Sequence, residues 1–320
     1  MKPSAIKRKL ISELPKEIEL TNFQKERLYW ELICIRLDHE IASRFIEYVK
    51  KNKAEVDTFL IDLDVESRDE IKTVIANLEF MCKITMEEAI QKFTSNKKKL
   101  LEHLNNLEFI KSNYKLPIEL HEEGVFKYKH GLVYIPQEVI YALRNKAFLD
   151  CGAFNGDSAL MFEKELDPSK IYSFEPVAEN YEYLLETIKM NNLKKVIPVK
   201  KGVGEKSCIT NFTPLGISSV VAEQGNRQME LISIDEFVRK HDLTVGLIKM
   251  DLEGYEFEAL KGAKKTIEKF KPVLLISIYH HPEELFGTKK YIQEMRSDYS
   301  FKIRLLADIR PLGEIHLIAW

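Results

Sequence analysis

Asp150-Cys-Gly-Ala-Phe-Asn-Gly-Asp157 joins a short apolar run to an amphipathic one. Gly152 and Gly156 let the chain turn tightly and let a ligand approach the backbone. A helix that begins at Asp157 presents unpaired amide groups, and these suit a carboxylate. An amino-acid moiety fits such a turn, with Asp150 at the strand end placed to accept from its ammonium group, directly or through water. The same turn also occurs in proteins with no ligand. Tyr172-Ser-Phe-Glu-Pro176 narrows the reading, because Glu175 ends the next strand about twenty residues beyond Gly156, where an acid can accept both hydroxyls of a ribose. Pro176 ends that strand and fixes the turn. The glycine turn and Glu175 together describe a cleft for a nucleoside with an amino-acid tail. Gly202-Val203-Gly204, after a third strand, is expected over the base, with Val203 in apolar contact. The spacing is not G-x-G-x-x-G, so a nicotinamide cofactor loses its main support.

Two further segments carry polar groups to strand ends. Leu247-Ile-Lys-Met-Asp-Leu-Glu-Gly-Tyr-Glu256 sets Lys249 and Asp251 on one side of a strand end. Asp251 faces the cleft and is the better candidate for chemistry. Lys249 steers an acidic acceptor or is a plain strand-end charge, and both readings stand. Acids at a helix start favour its dipole whatever the function, so at least one of Glu253 and Glu256 is expected to be structural. Ser277-Ile-Tyr-His-His-Pro282 follows an apolar strand, and His280 or His281 is the first choice of general base, with Asp251 second.

The elements that must position these groups form an alternating series. Strands are expected at Ala147–Cys151, Ile171–Phe174, Val196–Val199, Leu247–Met250 and Val273–Tyr279. Helices are expected at Asp157–Glu165, Ala178–Met190 and Glu256–Phe270. Two late strands, Phe301–Leu306 and Ile315–Ala319, are joined by a turn from Asp308 to Glu314 and predict an antiparallel hairpin at one edge. The result is a doubly wound α/β sheet, Rossmann-like, of the version used by methyltransferases.

The first third reads as helix. Trp30, Ile33, Leu37, Ile41 and Phe45 recur on one helical face, as do Ile71, Val74, Ile75 and Leu78, and then Leu100, Leu104 and Leu107. This stripe is read as core rather than as a cofactor box. Residues 1–115 are expected to form a helical domain. Residues 116–145 are expected to form a hairpin around His130-Gly131 and a linking helix from Gln137 to Leu143. Residues 146–320 are expected to carry the cleft.

Composition excludes several classes. The chain has 320 residues, 45% hydrophobic and 31% charged, with 48 Lys plus Arg against 50 Asp plus Glu and a net charge of −2. That balance is globular and demands neither nucleic acid nor an anionic membrane as partner. The basic runs Lys7-Arg8-Lys9 and Lys97-Lys98-Lys99 are read as solvated helix faces. Cys34, Cys82, Cys151 and Cys208 show no metal spacing and are read as buried thiols in a reducing compartment. Met1 to Leu20 is not a signal peptide by pattern, and the longest apolar stretch is too short to cross a bilayer. A cytoplasmic protein is expected. An exposed stripe on the N-terminal helices would favour a homodimer, and a buried one a lid or scaffold over the acceptor.

From Phe148 to about Trp320 the chain resembles the FkbM family of S-adenosylmethionine-dependent methyltransferases. The likeness rests on Phe148 to Ser158, Tyr172 to Pro176, Leu247 to Glu256 with the Leu-Lys-Gly-Ala that follows, and Lys271 to His280. It implies transfer of a methyl group to oxygen, often on a sugar, glycan or natural-product hydroxyl. It implies that Asp150, Gly152, Asn155 and Glu175 hold the donor, with Gly156, Asp157, Pro176 and Val203 in the same cleft, and that Asp251 lies near the methyl group. Many relatives carry an acid near Ser277, which this chain lacks, so no metal is expected. A donor-binding module without catalysis, using its helical half as an interaction surface, is the alternative.

Overall fold

The computed structural model describes residues 19–215, 218–221, 227–307 and 309–320. Lys7-Arg8-Lys9, nearly all of Met1 to Leu20, and Asp308 in the expected hairpin turn lie outside the described residues.

Among the described residues five helices come first: α1 (Asn22–Lys51), α2 (Lys53–Leu60), α3 (Val65–Met81), α4 (Met86–Phe93) and α5 (Lys97–Asn113). Helix α1 starts on a capping box in which Thr21 and Gln24 exchange side-chain and backbone hydrogen bonds. Its core face is Leu28, Leu32, Ile35, Ala42 and Phe45. Of the expected stripe Phe45 is buried in this core and Ile41 packs against it, partly buried. Leu37 is 52% exposed, and Trp30, Leu37 and Ile41 line a cavity. The helix is apolar on two faces, and periodicity alone cannot say which face meets protein. The other two stripes bury Ile71, Val74, Leu78, Leu100, Leu104 and Leu107 as expected.

The expected hairpin between Gly124 and Ile135 does not form. The chain makes a short helix α6 (Glu123–Phe126), a 3-10 turn (Lys129–Tyr134) and then α7 (Gln137–Ala142). His130 and Gly131 do turn the chain, at φ of 52° and 94°. Tyr128 and Tyr134 still stack across this turn, with ring centroids 6.2 Å apart, but no strand ladder forms between the flanking segments. A Cβ on Gly131 would stand 2.2 Å from Ile318 Cδ1, so only glycine fits.

The alternating series follows as β1 (Ala147–Cys151), α8 (Asp157–Glu165), β2 (Lys170–Phe174), α9 (Ala178–Asn191) and β3 (Val196–Val199). A second small sheet, absent from the sequence reading, is built from β4 (Gly202–Val203), β5 (Cys208–Leu215), β6 (Ser218–Val221) and β7 (Arg227–Ile232) in the order β4-β7-β5-β6. Then come α10 (Ile234–Lys240), β8 (Val245–Met250), α11 (Glu256–Lys261), α12 (Lys264–Phe270), β9 (Val273–Ser277), α13 (Pro282–Met295), β10 (Phe301–Leu305) and β11 (Ile315–Ala319). The helix expected over Glu256–Phe270 is thus broken. At the break, a Cβ on Gly262 would stand 2.1 Å from Gly204 O. The Asp235 carboxylate caps the second piece by accepting from Lys265 N and Thr266 N.

The main sheet has seven strands in the order β10-β11-β9-β8-β1-β2-β3. Strands β3, β2, β1, β8 and β9 are parallel neighbours, and β11 is antiparallel to both β9 and β10. The late strands therefore form the antiparallel pair read from sequence, with β10 outermost. That edge is closed by α3: Ile303 N donates to Ser67 Oγ and Leu305 N to Glu70 Oε2, so the outward amides are spent. The buried Arg304 guanidinium completes the seam with Ser67, Asp64 and Glu66. One core runs unbroken from Phe45, Ile71 and Leu78 in the helices to Ile248, Leu274 and Leu317 in the sheet. Cys34 and Cys151 are buried, but Cys82 and Cys208 are exposed, which corrects the reading of all four as buried thiols. No described helix is long and apolar enough to cross a membrane.

Candidate active site

The carboxyl ends of β1, β2 and β8 meet at one point. Gly152 N and Ala153 N both donate to Phe174 O, and Asp251 N donates to Cys151 O. Gly152 sits there at φ 82°, and a Cβ on it would lie 1.9 Å from Asp251 O. Lys249 Nζ donates to Gly152 O at 2.6 Å and stands 3.5 Å from Asp150. Burial alone would lower the Lys249 ammonium, but Asp150, Asp251 and Asp157 outweigh it and hold it charged. Lys249 is therefore a strut of the glycine turn.

A cavity of about 630 Å³ opens over these strand ends. Five of the eight residues expected to bind the donor line it: Gly152, Asp157, Glu175, Pro176 and Val203. Asp150, Asn155 and Gly156 lie beneath the turn and shape it. Asn155 Oδ1 accepts from Asp157 N at 3.1 Å, Asp150 faces Lys249, and Gly156 at φ 81° abuts Leu184. Glu175 accepts from Phe154 N at 2.9 Å and Val177 N at 2.8 Å. Burial nevertheless pushes its carboxyl up to about 7. These features suit a nucleoside with an amino-acid tail, because free acceptor capacity on Glu175 and open backbone at Gly152 and Gly202 face the same cleft. Tyr255, Met229 and Leu231 complete its apolar side, and His130 closes the far corner against Ser158 Oγ at 2.9 Å.

Asp251, Lys249, His280 and His281 all reach the cavity. His280 is ringed by acids: Nε2 lies 3.6 Å from Asp251 and 3.5 Å from Glu253, and Nδ1 lies 3.2 Å from Glu256. Burial opposes its charge, but Glu256, Glu253 and Asp251 prevail and raise it to about 10. An imidazolium at neutral pH has no lone pair to offer, so this geometry disfavours His280 as the base. His281 is shifted down, by burial first and then by Arg44 and His280, and its ring packs on Gly254. Glu256 is the structural acid of the pair, fully buried and accepting from Leu252 N and Gly254 N. Glu253 lines the cavity. The Asp251 carboxyl is raised by burial, against the pull of Lys249 and His280, with 26% of its side chain open. It is placed to take a proton. Asp251, Glu256 and His280 each bring a ligand atom within 4.8 Å of the others, a grouping that could hold a metal ion and that the sequence reading did not assemble.

The half of the cavity beyond Asp251 is walled by residues the sequence reading missed. Helix α1 supplies Trp30, Asp38 and Arg44, and Glu122, Tyr279, Arg310 and Glu314 complete the wall. Apart from Tyr279, which lies in the Ser277-to-Pro282 segment, none belongs to a motif. The stripe on α1 had the right residues for a wall but was read as core.

Residues 150–303 match the methyltransferase FkbM domain. The hexuronic acid methyltransferase AglP of Haloferax volcanii is 27% identical over 112 residues, which are 33% of this chain and 46% of that protein. The chain thus spans about half the length of the curated relative it matches. The crystal structure of a methyltransferase FkbM from Methylobacillus flagellatus KT shares the fold at a TM-score of 0.58 and 19% identity, over 87% of this chain and 61% of that one. Residues 116–320 alone cannot supply that share, so the likeness of fold reaches into the N-terminal helices. Over residues 150–303 the chain is thus similar to the methyltransferase FkbM domain.

Proposed function

We propose that the protein is an S-adenosylmethionine-dependent O-methyltransferase whose acceptor is a hydroxyl on a sugar, glycan or related metabolite. The observation that carries this reading is one cavity lined by Gly152, Glu175 and Val203 and also by Trp30, Asp38, Glu122 and Glu314, with Asp251 on the same lining. Aromatic and carboxylate walls of the kind made by Trp30, Asp38, Glu122 and Glu314 suit a polyhydroxyl ligand, and the relative named for hexuronic acid supports a sugar. S-adenosylmethionine, when bound, supplies an activated methyl group on a good leaving group. Glu175 would hold the ribose hydroxyls, and the α8 start with Asp157 the amino-acid end. Asp251 would take the acceptor's hydroxyl proton. The cavity walls would align the acceptor, which lowers the entropy cost of reaction.

Calorimetric titration tests the donor reading. S-adenosylmethionine and S-adenosylhomocysteine are expected to bind at micromolar levels and NAD not at all. Binding of NAD alone, or of none of the three, would sink the proposal. Glu175 adds a pH signature. A ribose diol donates to its ionised form, so donor affinity should fall by roughly tenfold per unit as pH drops below about 7. The check is to titrate S-adenosylhomocysteine across a range of about pH 5.5 to 8.5. Glu175→Gln should weaken binding and flatten the profile, and an unchanged slope in that variant would remove Glu175 from the ribose site.

A further inference from the structure

The polar half of the cavity continues into an annex of about 30 Å³ that shares Trp30, Cys34, Glu122, Arg310 and Glu314 as lining. Arg27 of α1 lies on its wall, 3% exposed. Its Nη2 pairs with Glu31 at 3.2 Å, but Nε and Nη1 are buried without a hydrogen-bond partner. Arg310 enters from the loop between β10 and β11. It lies 3.5 Å from Asp38 and 3.8 Å from Glu314, and its Nε is also buried and unpartnered. Gly313 lets the Arg310 guanidinium lie flat on the backbone, since a Cβ there would stand 2.0 Å from Cζ. Both guanidiniums thus line one small space, and three of their nitrogens, carrying four N–H bonds, are buried without a hydrogen-bond partner.

We propose that this annex is a carboxylate subsite, and that the acceptor is an acidic sugar whose carboxylate is held by Arg27 and Arg310. The inference rests on the methyltransferase reading of the same cavity and names the acceptor's chemical class. Leaving a buried charged donor unmet costs more than leaving a neutral one, so the site favours an anion over a bare hydroxyl. The nearby acids are already engaged. Glu31 and Glu123 share His103, and Glu314 pairs with Arg310 and His316. Glu122 is pushed well above the usual carboxylate range by burial and by Glu314, which favours its protonated form. The annex has room for roughly one or two water-sized groups, which fits two planar carboxylate oxygens and not a phosphate ester.

The test uses the full chain saturated with S-adenosylhomocysteine. The probes are methyl α-D-glucuronide and methyl α-D-glucoside, which differ only by a carboxylate in place of a hydroxymethyl group. The glucuronide is expected to bind at least about tenfold more tightly. Arg27→Gln and Arg310→Gln should each remove most of that preference while S-adenosylhomocysteine still binds. Arg27→Lys serves if the glutamine variant does not fold, and should keep only part of the preference because it loses the planar fork. Equal affinities, no binding of either sugar, or a preference that survives both substitutions overturns the subsite. Loss of S-adenosylhomocysteine binding in the unaltered protein overturns the donor reading, and the subsite falls with it.

Discussion

Asp251→Asn is expected to lower kcat by about 10²- to 10⁴-fold, the usual contribution of one general base, with S-adenosylhomocysteine affinity unchanged. The substitution keeps the shape of the side chain and removes its charge and its ability to take a proton. Asp251 stands at the end of β8, held by the hydrogen bond that its backbone N–H donates to Cys151 O, and it lines the cavity. Burial raises it, so it binds a proton more readily than an exposed Asp would. The fold should tolerate the change, because Asp150 still faces Lys249, and Glu253 and Glu256 still face His280. Turnover of the unaltered protein should decline as pH falls toward the raised value of Asp251, and that acid limb should vanish from what activity remains in the Asn variant. His281→Ala is the control, since its ring is the other uncharged base in reach. Full turnover in Asp251→Asn together with a large loss in His281→Ala would transfer the role to His281.

His280 shows where sequence reasoning stops. Its position after a central strand was legible, and so was its place beside Asp251. Its charge was not, because that depends on Glu253 and Glu256 folding back from the next turn to surround it. The turn itself is held by Glu253 and Gly254, both at positive φ, and by Glu256. The motif Asp-Leu-Glu-Gly-Tyr-Glu thus encodes a local scaffold whose effect is felt some twenty-five residues later in the chain, at about the spacing of neighbouring strand ends.

The sheet was legible for a similar reason turned around. Strands buried on both faces read as short apolar runs, and all seven main-sheet strands were placed within a residue or two. Strands β4 to β7 were missed because β4 is only two residues long, Thr, Asn and Pro interrupt the apolar residues of β5, β6 opens on two serines, and Arg, Gln and Glu break the run in β7. The wall beyond Asp251 was illegible on other grounds. Trp30, Asp38, Glu122 and Arg310 lie far apart in sequence, and each alone is an ordinary residue on a helix or loop. They acquire a shared meaning only when α1 crosses the strand ends. The apolar residues of α1 that face the cavity satisfy the same periodicity as those that face the core, so pattern analysis chose the wrong stripe with no local sign of error.

Gly152→Ala is expected to reduce donor affinity by at least roughly a hundredfold, or about 3 kcal/mol. The left-handed backbone at φ 82° costs an alanine about 1–2 kcal/mol by itself. The greater cost is steric. The new Cβ would stand 1.9 Å from Asp251 O and 2.9 Å from Asp251 C, and both are backbone atoms that cannot swing aside. Relief requires β1 and β8 to part at their ends. That movement would drag the Phe174 carbonyl, which binds Gly152 N and Ala153 N, and Glu175 beside it. The ribose acceptor, the glycine turn and Asp251 would then all lose register at once. Gly156→Ala is the informative partner. Its Cβ would meet Leu184 Cδ1 at 2.8 Å, the far end of a flexible side chain, with Thr187 next at 3.3 Å. The Gly156 variant should therefore lose stability while keeping most of its donor affinity. Thermal melting and S-adenosylhomocysteine titration of both variants separate the two effects. Equal donor affinity in Gly152→Ala and the unaltered protein would mean that the ligand does not depend on this turn, and the cleft would have to be sought elsewhere on the sheet.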